Sequence, residues 1–132
     1  MNVTTNVPAA AVDPGTIVLV DDDVAVRESL AFLLECHGFE VRPYGHPRDF
    51  LAADLPTRAC CVLLDLRLPS LSGIEVLERL RARGDRVPVL LITGHGDTKA
   101  AADARALGAF DFLEKPFDDV LLVSRIREAL TV

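Results

Sequence analysis

Short apolar runs and longer amphipathic stretches alternate along the chain from Thr16 onward. Runs typical of β-strands occupy positions 17–20, 40–44, 60–64, 87–92 and 109–113. In the stretches that follow them, apolar residues recur every three or four positions, which is the spacing of one helix face. The pattern therefore predicts five strand–helix units in succession.

Residues typical of helix ends mark the boundaries of the amphipathic stretches. They include short polar side chains that cap a first turn, a proline that suits a first turn, and glycines that end a last turn. Ser72 and Glu75 have the spacing of a capping box. The expected caps are Asp23, Ser72 and Asp97, the first-turn proline is Pro47, and the expected stops are Gly38 and Gly108.

Five successive strand–helix units imply a parallel sheet with helices on both faces. The first and third runs are wholly apolar, as interior strands should be, whereas the second contains Arg42 and Pro43 and the fifth contains Asp111. Placing the second and fifth strands at the edges gives the order 2-1-3-4-5. We therefore predict an α/β fold, the flavodoxin-like (βα)5 doubly wound sheet, whose binding crevice lies at the carboxyl ends of strands one and three.

The length of 132 residues corresponds to one domain. Residues 1–15 show neither periodicity, so we expect a flexible tail ahead of a folded domain at 16–132. The three cysteines match no zinc or disulfide spacing, and we expect them to be reduced and buried in a cytoplasmic protein. No apolar run approaches the roughly 20 residues of a membrane span, and the N-terminus lacks a signal-peptide pattern. We therefore expect no membrane partner.

The net charge of the chain argues against one further class of partner. The chain carries 14 Lys and Arg against 20 Asp and Glu, a formal net charge of −6. That balance repels polyanions, so we expect no direct binding of nucleic acid by these residues. It suits a protein that holds divalent cations or docks onto basic surfaces.

Polar side chains with complementary chemistry follow the ends of four of the predicted strands. Asp21 and Asp22 follow the first strand and Asp65 follows the third, while Thr93 and Lys115 follow the fourth and fifth. The carboxyl ends of parallel strands share one edge of the sheet, so the predicted strand order brings these side chains to the crevice. Spacing along the chain alone would not indicate this convergence.

Three carboxylates at one place need a counterion. Two carboxylates about 4 Å apart repel by roughly 4 kcal/mol at an effective dielectric constant of 20. A hard divalent cation with oxygen ligands suits the cluster, and we expect Mg²⁺, with Mn²⁺ as an alternative. Asp22 and Asp65 are the expected direct ligands, Asp21 acts partly through water, and Arg67 adds its backbone carbonyl.

One of these carboxylates can also act as a nucleophile. An aspartate that attacks a phosphoryl group forms an acyl phosphate, and the outer phosphoryl oxygens then need separate donors. Mg²⁺, Lys115 and the Thr93 hydroxyl are the expected partners of those oxygens. Asp65 is the expected nucleophile because it stands on the central strand and faces the other groups.

Several short motifs carry a resemblance to a known family. The motifs are Val20-Asp21-Asp22, Asp65-Leu66-Arg67-Leu68-Pro69, Ser72-Gly73, Thr93-Gly94-His95-Gly96 and Lys115-Pro116-Phe117. Together they resemble the response-regulator receiver domain of two-component signalling. The sequence is similar in particular to FixJ-type receivers, in Val26-Arg27-Glu28-Ser29-Leu30, Gly94-His95-Gly96-Asp97 and Asp111-Phe112-Leu113-Glu114-Lys115-Pro116-Phe117.

The resemblance implies a phosphorelay switch that catalyses only its own phosphorylation and slow dephosphorylation. Asp65 would accept a phosphoryl group from a sensor histidine kinase or a phosphotransfer protein. Asp21 and Asp22 would be the acidic pair for Mg²⁺, and Thr93 and Lys115 would contact the phosphoryl group. FixJ-type proteins usually continue into a DNA-binding domain, and the sequence leaves open whether one belongs to this protein.

The resemblance also implies how the signal leaves the site. A cis peptide bond is expected between Lys115 and Pro116. A shift of Thr93 toward the phosphoryl group would empty space that Phe112 can fill, although plain burial of the Phe112 ring in the core is an equal alternative. We expect the surface formed by the fourth helix, fifth strand and fifth helix to change. That change would control a phosphorylation-dependent homodimer or another partner contact.

Two other functions fit parts of the pattern. A phosphohydrolase of the haloacid dehalogenase kind also uses an aspartate nucleophile, but it needs a second aspartate two positions later, where this chain has Arg67. A degenerate receiver that binds a partner without phosphorylation is the other alternative. His95 could be taken for a metal ligand, but the cluster otherwise offers oxygen atoms, so we expect a loop residue at the rim.

Overall fold

Five strands and five helices alternate along the part of the chain that the computed structural model describes, residues 15–55, 60–94, 96 and 98–131. The strands are β1 (Thr16–Val20), β2 (Glu40–Tyr44), β3 (Cys60–Asp65), β4 (Val89–Thr93) and β5 (Asp111–Glu114). The helices are α1 (Val24–Cys36), α2 (Pro47–Ala52), α3 (Gly73–Ala82), α4 (Thr98–Ala106) and α5 (Asp119–Leu130). Within these described residues, no helix has both the length and the apolar character needed to cross a bilayer.

The strands form one parallel sheet in the order β2-β1-β3-β4-β5, which confirms the predicted topology. The predicted bounds need correction in four strands. β1 begins one residue earlier than predicted and β3 ends one residue later, and β4 and β5 begin two residues later and end one residue later. β4 begins at Val89 because Pro88 has no N–H to give to the ladder, although its carbonyl accepts the N–H of Val62 at 2.9 Å. The N–H of Ala109 closes the end of α4 on the carbonyl of Ala104, so Ala109 belongs to the helix end and not to β5.

Two apolar layers cover the two faces of the sheet. Alternate residues of the central strands point to opposite faces, and β1 and β4 are buried along their whole length. One face packs against α1 and α5, through Leu34, Leu122, Val123, Ile126 and Ala129. The other face packs against α2, α3 and α4, through Phe50, Val76, Leu77, Leu80 and Ala104. A sheet covered on both faces explains why its inner strands are continuously apolar.

The predicted helix ends agree with the structure where it describes them. The side chain of Asp23 accepts the N–H of Val26, and Ser72 and Glu75 form both bonds of the capping box. Pro47 begins α2, while Gly38 and Gly108 follow α1 and α4 with φ values of 93° and 82°. Asp97, His95 and residues 1–14 of the predicted tail lie outside the described residues. The carbonyl of Gly15, the last residue of that tail, accepts the N–H of Glu40.

The cysteines differ in their surroundings, and the prediction that all three are buried is wrong for Cys36. Cys60 and Cys61 lie in β3 and are buried, whereas Cys36 ends α1 on the side that faces solvent. Burial raises the pKa of the Cys60 thiol to about 11 and that of the Cys61 thiol to about 12. Because the thiolate is the reactive form, these two thiols should be inert in the folded chain.

Thiol labelling tests this difference. At pH 8 we expect an excess of a maleimide to modify one cysteine rapidly, Cys36, and to reach all three only after denaturation in guanidinium. Counting adducts by intact mass measures the result. A Cys36→Ser variant is the control and should show no fast adduct; rapid labelling of that variant would contradict the assignment.

Arg81 joins α3 to the end of α4. Its guanidinium donates to the carbonyls of Leu107 (3.2 Å) and Gly108 (3.0 Å) beyond α4, and to those of Asp85 (2.9 Å) and Val87 (3.0 Å) between α3 and β4. Burial lowers the pKa of Arg81, so the desolvated charge depends on these carbonyls. These four hydrogen bonds of Arg81, called the Arg81 clamp below, hold the C-terminal end of α4 against α3 and the segment before β4.

Replacing Arg81 should therefore destabilise the fold. Arg81→Met keeps much of the aliphatic stem but leaves four carbonyls without their donor, and we expect a loss of about 2 kcal/mol or more in the free energy of unfolding, measured by urea denaturation. Arg79→Met, on an exposed position of α3, removes the same charge and should change that free energy by less than about 0.5 kcal/mol. Equal stabilities of the two variants would contradict the role of the Arg81 clamp.

Candidate functional site

Three carboxylates meet where β1 and β3 end. Asp21 and Asp22 follow β1, and Asp65 is the last residue of β3. One carboxylate oxygen from each residue lies within 4.8 Å of the other two. Because β1 and β3 are neighbours in the sheet, their carboxyl ends bring together acidic residues that are more than forty positions apart in the chain.

Asp21 is the most buried of the three, with 4% of its surface exposed. Its backbone N–H donates to the carbonyl of Tyr44 at the end of β2, at 3.1 Å. Its Oδ1 accepts the N–H of Asp23 at 2.9 Å, and its carbonyl accepts a hydrogen bond from Nη1 of Arg27 at 2.7 Å. The backbone and side chain of Asp21 are therefore both fixed before any ligand binds.

The electrostatics of the cluster are unfavourable in the absence of a cation. Burial raises the pKa of the Asp21 carboxyl, and the charges of Asp65 and Asp22 raise it further. The N–H of Asp23 and the positive charge of Lys115 act in the lowering direction but do not compensate. The site therefore favours binding of an additional positive charge.

Asp65 is half-buried and oriented by its own loop. Its Oδ1 accepts the backbone N–H of Arg67 at 2.9 Å. The loop returns closely past the end of β3, since a Cβ on Gly73 would lie 2.7 Å from the carbonyl oxygen of Asp65 and 2.9 Å from Cα of Leu66. Only glycine allows that approach, which gives a physical reason for the Ser72-Gly73 motif.

Thr93 and Lys115 lie at the same carboxyl-terminal end of the sheet as the three carboxylates. Thr93 is the last residue of β4, and Lys115 directly follows β5. Thr93 is fully buried and stands opposite Glu114 in the register of the two strands. The carbonyl of Thr93 accepts the backbone N–H of Lys115 at 2.8 Å. The bond between Lys115 and Pro116 is cis, as the resemblance implies.

Phe112, the other expected switch residue, lies on β5. Its ring is half-buried and packs against the apolar layer that contains α2, α3 and α4. It therefore lies on the face of the sheet that also carries α4. Its partial exposure leaves it less enclosed than the core side chains around it.

Two contributions to the site were not predicted from the sequence. Arg27 belongs to the Val26–Leu30 motif, but its hydrogen bond to Asp21 depends on how α1 packs beside β1. Gly45 lies under that guanidinium, where a Cβ would come within 2.9 Å of Nη1. The signal available beforehand was the motif itself, which marks Arg27 without giving its partner.

Comparison with known proteins establishes the family. The model for the response regulator receiver domain matches residues 17–127. The chain belongs to this receiver domain family. The crystal structure of FixJ-N has a TM-score of 0.83 and 40% sequence identity, and the alignment covers 89% of this chain and 94% of that one.

Two curated relatives show which members of the family this receiver domain is similar to. The transcriptional regulatory protein FixJ of Azorhizobium caulinodans is 48% identical over 112 residues, 85% of this chain and 53% of that protein. FixJ of Bradyrhizobium diazoefficiens is 46% identical over 116 residues, 88% of this chain and 57% of that protein. The chain thus spans about half the length of these relatives. The family is one of phosphorelay signalling, and the chain is a FixJ-like receiver domain rather than a classical enzyme.

The donor set of the receiver domain fits the divalent cation that such domains generally require. Carboxylate oxygens are hard ligands, and the three of them carry more negative charge than Lys115 can balance. Burial and the two neighbouring carboxylates raise the pKa of the Asp21 carboxyl, and a cation held among the three oxygens would favour its charged form. The residues present are therefore suited to Mg²⁺.

The raised pKa of Asp21 has a consequence for stability. Above that folded-state pKa the charged carboxyl destabilises the receiver domain, and the cost disappears as the pH falls through it toward the ordinary value of 3.8. At pH 7 without divalent cations, we expect Asp21→Asn to raise the free energy of unfolding by about 1 kcal/mol, measured by urea denaturation. The advantage should shrink with decreasing pH and vanish below pH 3.8.

Addition of Mg²⁺ supplies the control for this prediction. A ligand that binds only the folded state stabilises it, so the unchanged protein should gain more stability from Mg²⁺ than Asp21→Asn does. A variant that is less stable than the unchanged protein at pH 7 without Mg²⁺ would show that the Asp21 carboxylate is not under electrostatic strain.

Proposed function

We propose that Asp65 is the phosphoacceptor of this receiver domain, with a histidine kinase or a phosphotransfer protein as donor. A carboxylate oxygen of Asp65 forms a bond to phosphorus while the bond between phosphorus and the donor's imidazole nitrogen breaks. The electron pair of that bond stays on the imidazole, which then takes a proton. The product is an acyl phosphate on Asp65 and a neutral histidine on the donor.

The observation that carries this proposal is the convergence of Asp65 with two further carboxylates and a nearby lysine charge. The oxygens of Asp21, Asp22 and Asp65 lie within 4.8 Å of one another, and the charge of Lys115 acts on Asp21. A phosphohydrolase with a general acid two residues after its nucleophile would need a carboxyl where this chain has Arg67. The site therefore supports phosphoryl storage better than repeated hydrolysis.

Mg²⁺ is the proposed cofactor, with Mn²⁺ as a substitute. Asp22 and Asp65 would hold it directly, Asp21 through water, and Arg67 through its backbone carbonyl. When bound, the cation neutralises part of the negative charge shared by the carboxylates and the incoming phosphoryl group. The N–H of Arg67 holds Oδ1 of Asp65, which orients the carboxylate for attack.

Lys115 and Thr93 are the proposed contacts of the other phosphoryl oxygens. Lys115 brings a positive charge that already acts on the acidic cluster. Thr93 ends β4 one position after Ile92, the residue that pairs with Asp65 on β3, so its hydroxyl is the proposed contact from the neighbouring strand. Their backbones are joined by the bond from the Lys115 N–H to the Thr93 carbonyl, so movement of one would be transmitted to the other.

The proposed output is a change of the surface formed by α4, β5 and α5. Binding of the phosphoryl group would favour the conformer in which Thr93 lies closer to Asp65, and Phe112 would turn inward. The first turn of α5 carries two exposed apolar side chains, Val120 and Leu121, that a partner could cover. Self-association or contact with an output domain, in the cytoplasm, is the proposed result.

Phosphorylation of the isolated chain tests the central step. After incubation with acetyl phosphate and Mg²⁺, we expect intact mass spectrometry to show one added phosphoryl group. Asp65→Asn should abolish the gain because the amide is a poor nucleophile, and removal of divalent cations with EDTA should reduce it strongly. Asp54→Asn, at an exposed position after α2, is the matched control and should be phosphorylated normally.

Other results would favour the alternative functions. Repeated turnover of a generic phosphate ester with Mg²⁺ would favour the hydrolase. Absence of any mass gain in the unchanged protein would favour a module that binds its partner without phosphorylation. A gain that persists in Asp65→Asn would move the acceptor to another residue.

A further inference from the structure

We propose that Arg27 is a positioning residue that sets the affinity of the acidic cluster for its divalent cation. The inference rests on the proposed function, because it assumes that the cluster of Asp21, Asp22 and Asp65 binds Mg²⁺ or Mn²⁺. It adds a residue outside that cluster and outside the phosphoryl contacts. The role is indirect: Arg27 acts through the backbone that carries Asp21 and Asp22.

The first observation is the hydrogen bond from Nη1 of Arg27 to the backbone carbonyl of Asp21, at 2.7 Å. That carbonyl belongs to the peptide unit between Asp21 and Asp22, so its direction fixes how both side chains leave the backbone. The N–H of Asp21 is held from the other side by the carbonyl of Tyr44 at 3.1 Å. Arg27 therefore completes the anchoring of the acidic pair between α1 and β2.

The second observation is the space that the fold keeps for the guanidinium. A Cβ on Gly45 would lie 2.9 Å from Nη1 and 3.2 Å from Cζ of Arg27. The turn after β2 thus approaches the guanidinium as closely as a residue without a side chain allows. A side chain at position 45 would therefore force the Arg27 head group to shift.

Charge alone would give Arg27 the opposite effect. A positive charge held at the backbone carbonyl of Asp21 competes with Mg²⁺ for the nearby acidic cluster, so its removal should tighten cation binding if the charge is what matters. A positioning role predicts weaker binding, because groups that hold metal ligands in place typically contribute tenfold or more to affinity. The sign of the change therefore separates the two roles.

Whether Mn²⁺ affinity rises or falls can be measured by titration with Mn²⁺, using the electron paramagnetic resonance signal to monitor the free ion. In the full chain we expect Arg27→Met to weaken Mn²⁺ binding by about tenfold, and Mg²⁺ competition to show the same ratio. Arg79→Met removes the same charge from an exposed position on α3 and should leave the affinity within about twofold. Unchanged or tighter binding by Arg27→Met would overturn the inference.

Gly45→Ala provides a second test that keeps Arg27 in place. The added methyl group would force the guanidinium to shift and weaken its bond to the Asp21 carbonyl, and we expect Mn²⁺ affinity to fall in the same direction as in Arg27→Met but by less. If both substitutions act through one hydrogen bond, the double variant should bind no more weakly than Arg27→Met alone. Additive losses would overturn the shared mechanism. Urea denaturation checks that each variant is folded, and Gly45→Ala decides the inference if Arg27→Met does not fold.

Failure of this inference is distinguishable from failure of the proposed function. An unchanged protein that binds Mn²⁺ and is phosphorylated, with Arg27→Met equally tight, would reject only the role of Arg27. An unchanged protein that binds neither Mn²⁺ nor Mg²⁺ would reject the metal-dependent function and this inference together.

Discussion

Three carboxylates that meet at the carboxyl ends of two parallel strands repel one another. The surrounding structure must hold them together against that repulsion. β1 and β3 are neighbours, so Asp21, Asp22 and Asp65 are brought within 4.8 Å by the strand pairing itself. The fold supplies the free energy that holds them there, because the two strands are buried in the core on both faces. A site under this strain has a built-in affinity for a cation.

The acidic cluster is held in place largely by backbone groups. The N–H of Asp23 binds Asp21, and the N–H of Arg67 binds Asp65, so each of these two carboxylates is oriented by a residue two positions later. Arg27 fixes the peptide that joins the acidic pair. The two backbone N–H groups orient carboxylate oxygens without bringing a full charge, so most of the negative charge of the cluster is left for a cation to balance.

The two ends of α4 are attached differently to the rest of the domain. At the C-terminal end, Arg81 binds the carbonyls of Leu107 and Gly108 and joins them to the end of α3. Near the N-terminal end, the N–H of Gly96 donates to Glu114 of β5 at 2.6 Å. Glu114 directly precedes Lys115 and pairs with Thr93, so this contact joins the loop before α4 to the strand ends at the site. The described residue before α4, Gly96, is thus tied to β5, whereas the last turn of α4 is held by Arg81.

Local properties of the chain predicted the strand–helix alternation, through apolar periodicity, and the strand order, through Pro43 and the charges in the outer strands. The acidic cluster could be predicted only by combining the residues at the strand ends with that order. The exact start of β5, the exposure of Cys36 and the partner of Arg27 were decided by the folded structure. Whether Ala109 closes a helix or extends a strand is decided by the carbonyl of Ala104. The contact of Arg27 with Asp21 requires α1, β1 and the turn at Gly45 to meet, and such contacts between separate elements leave no periodic signal in the chain.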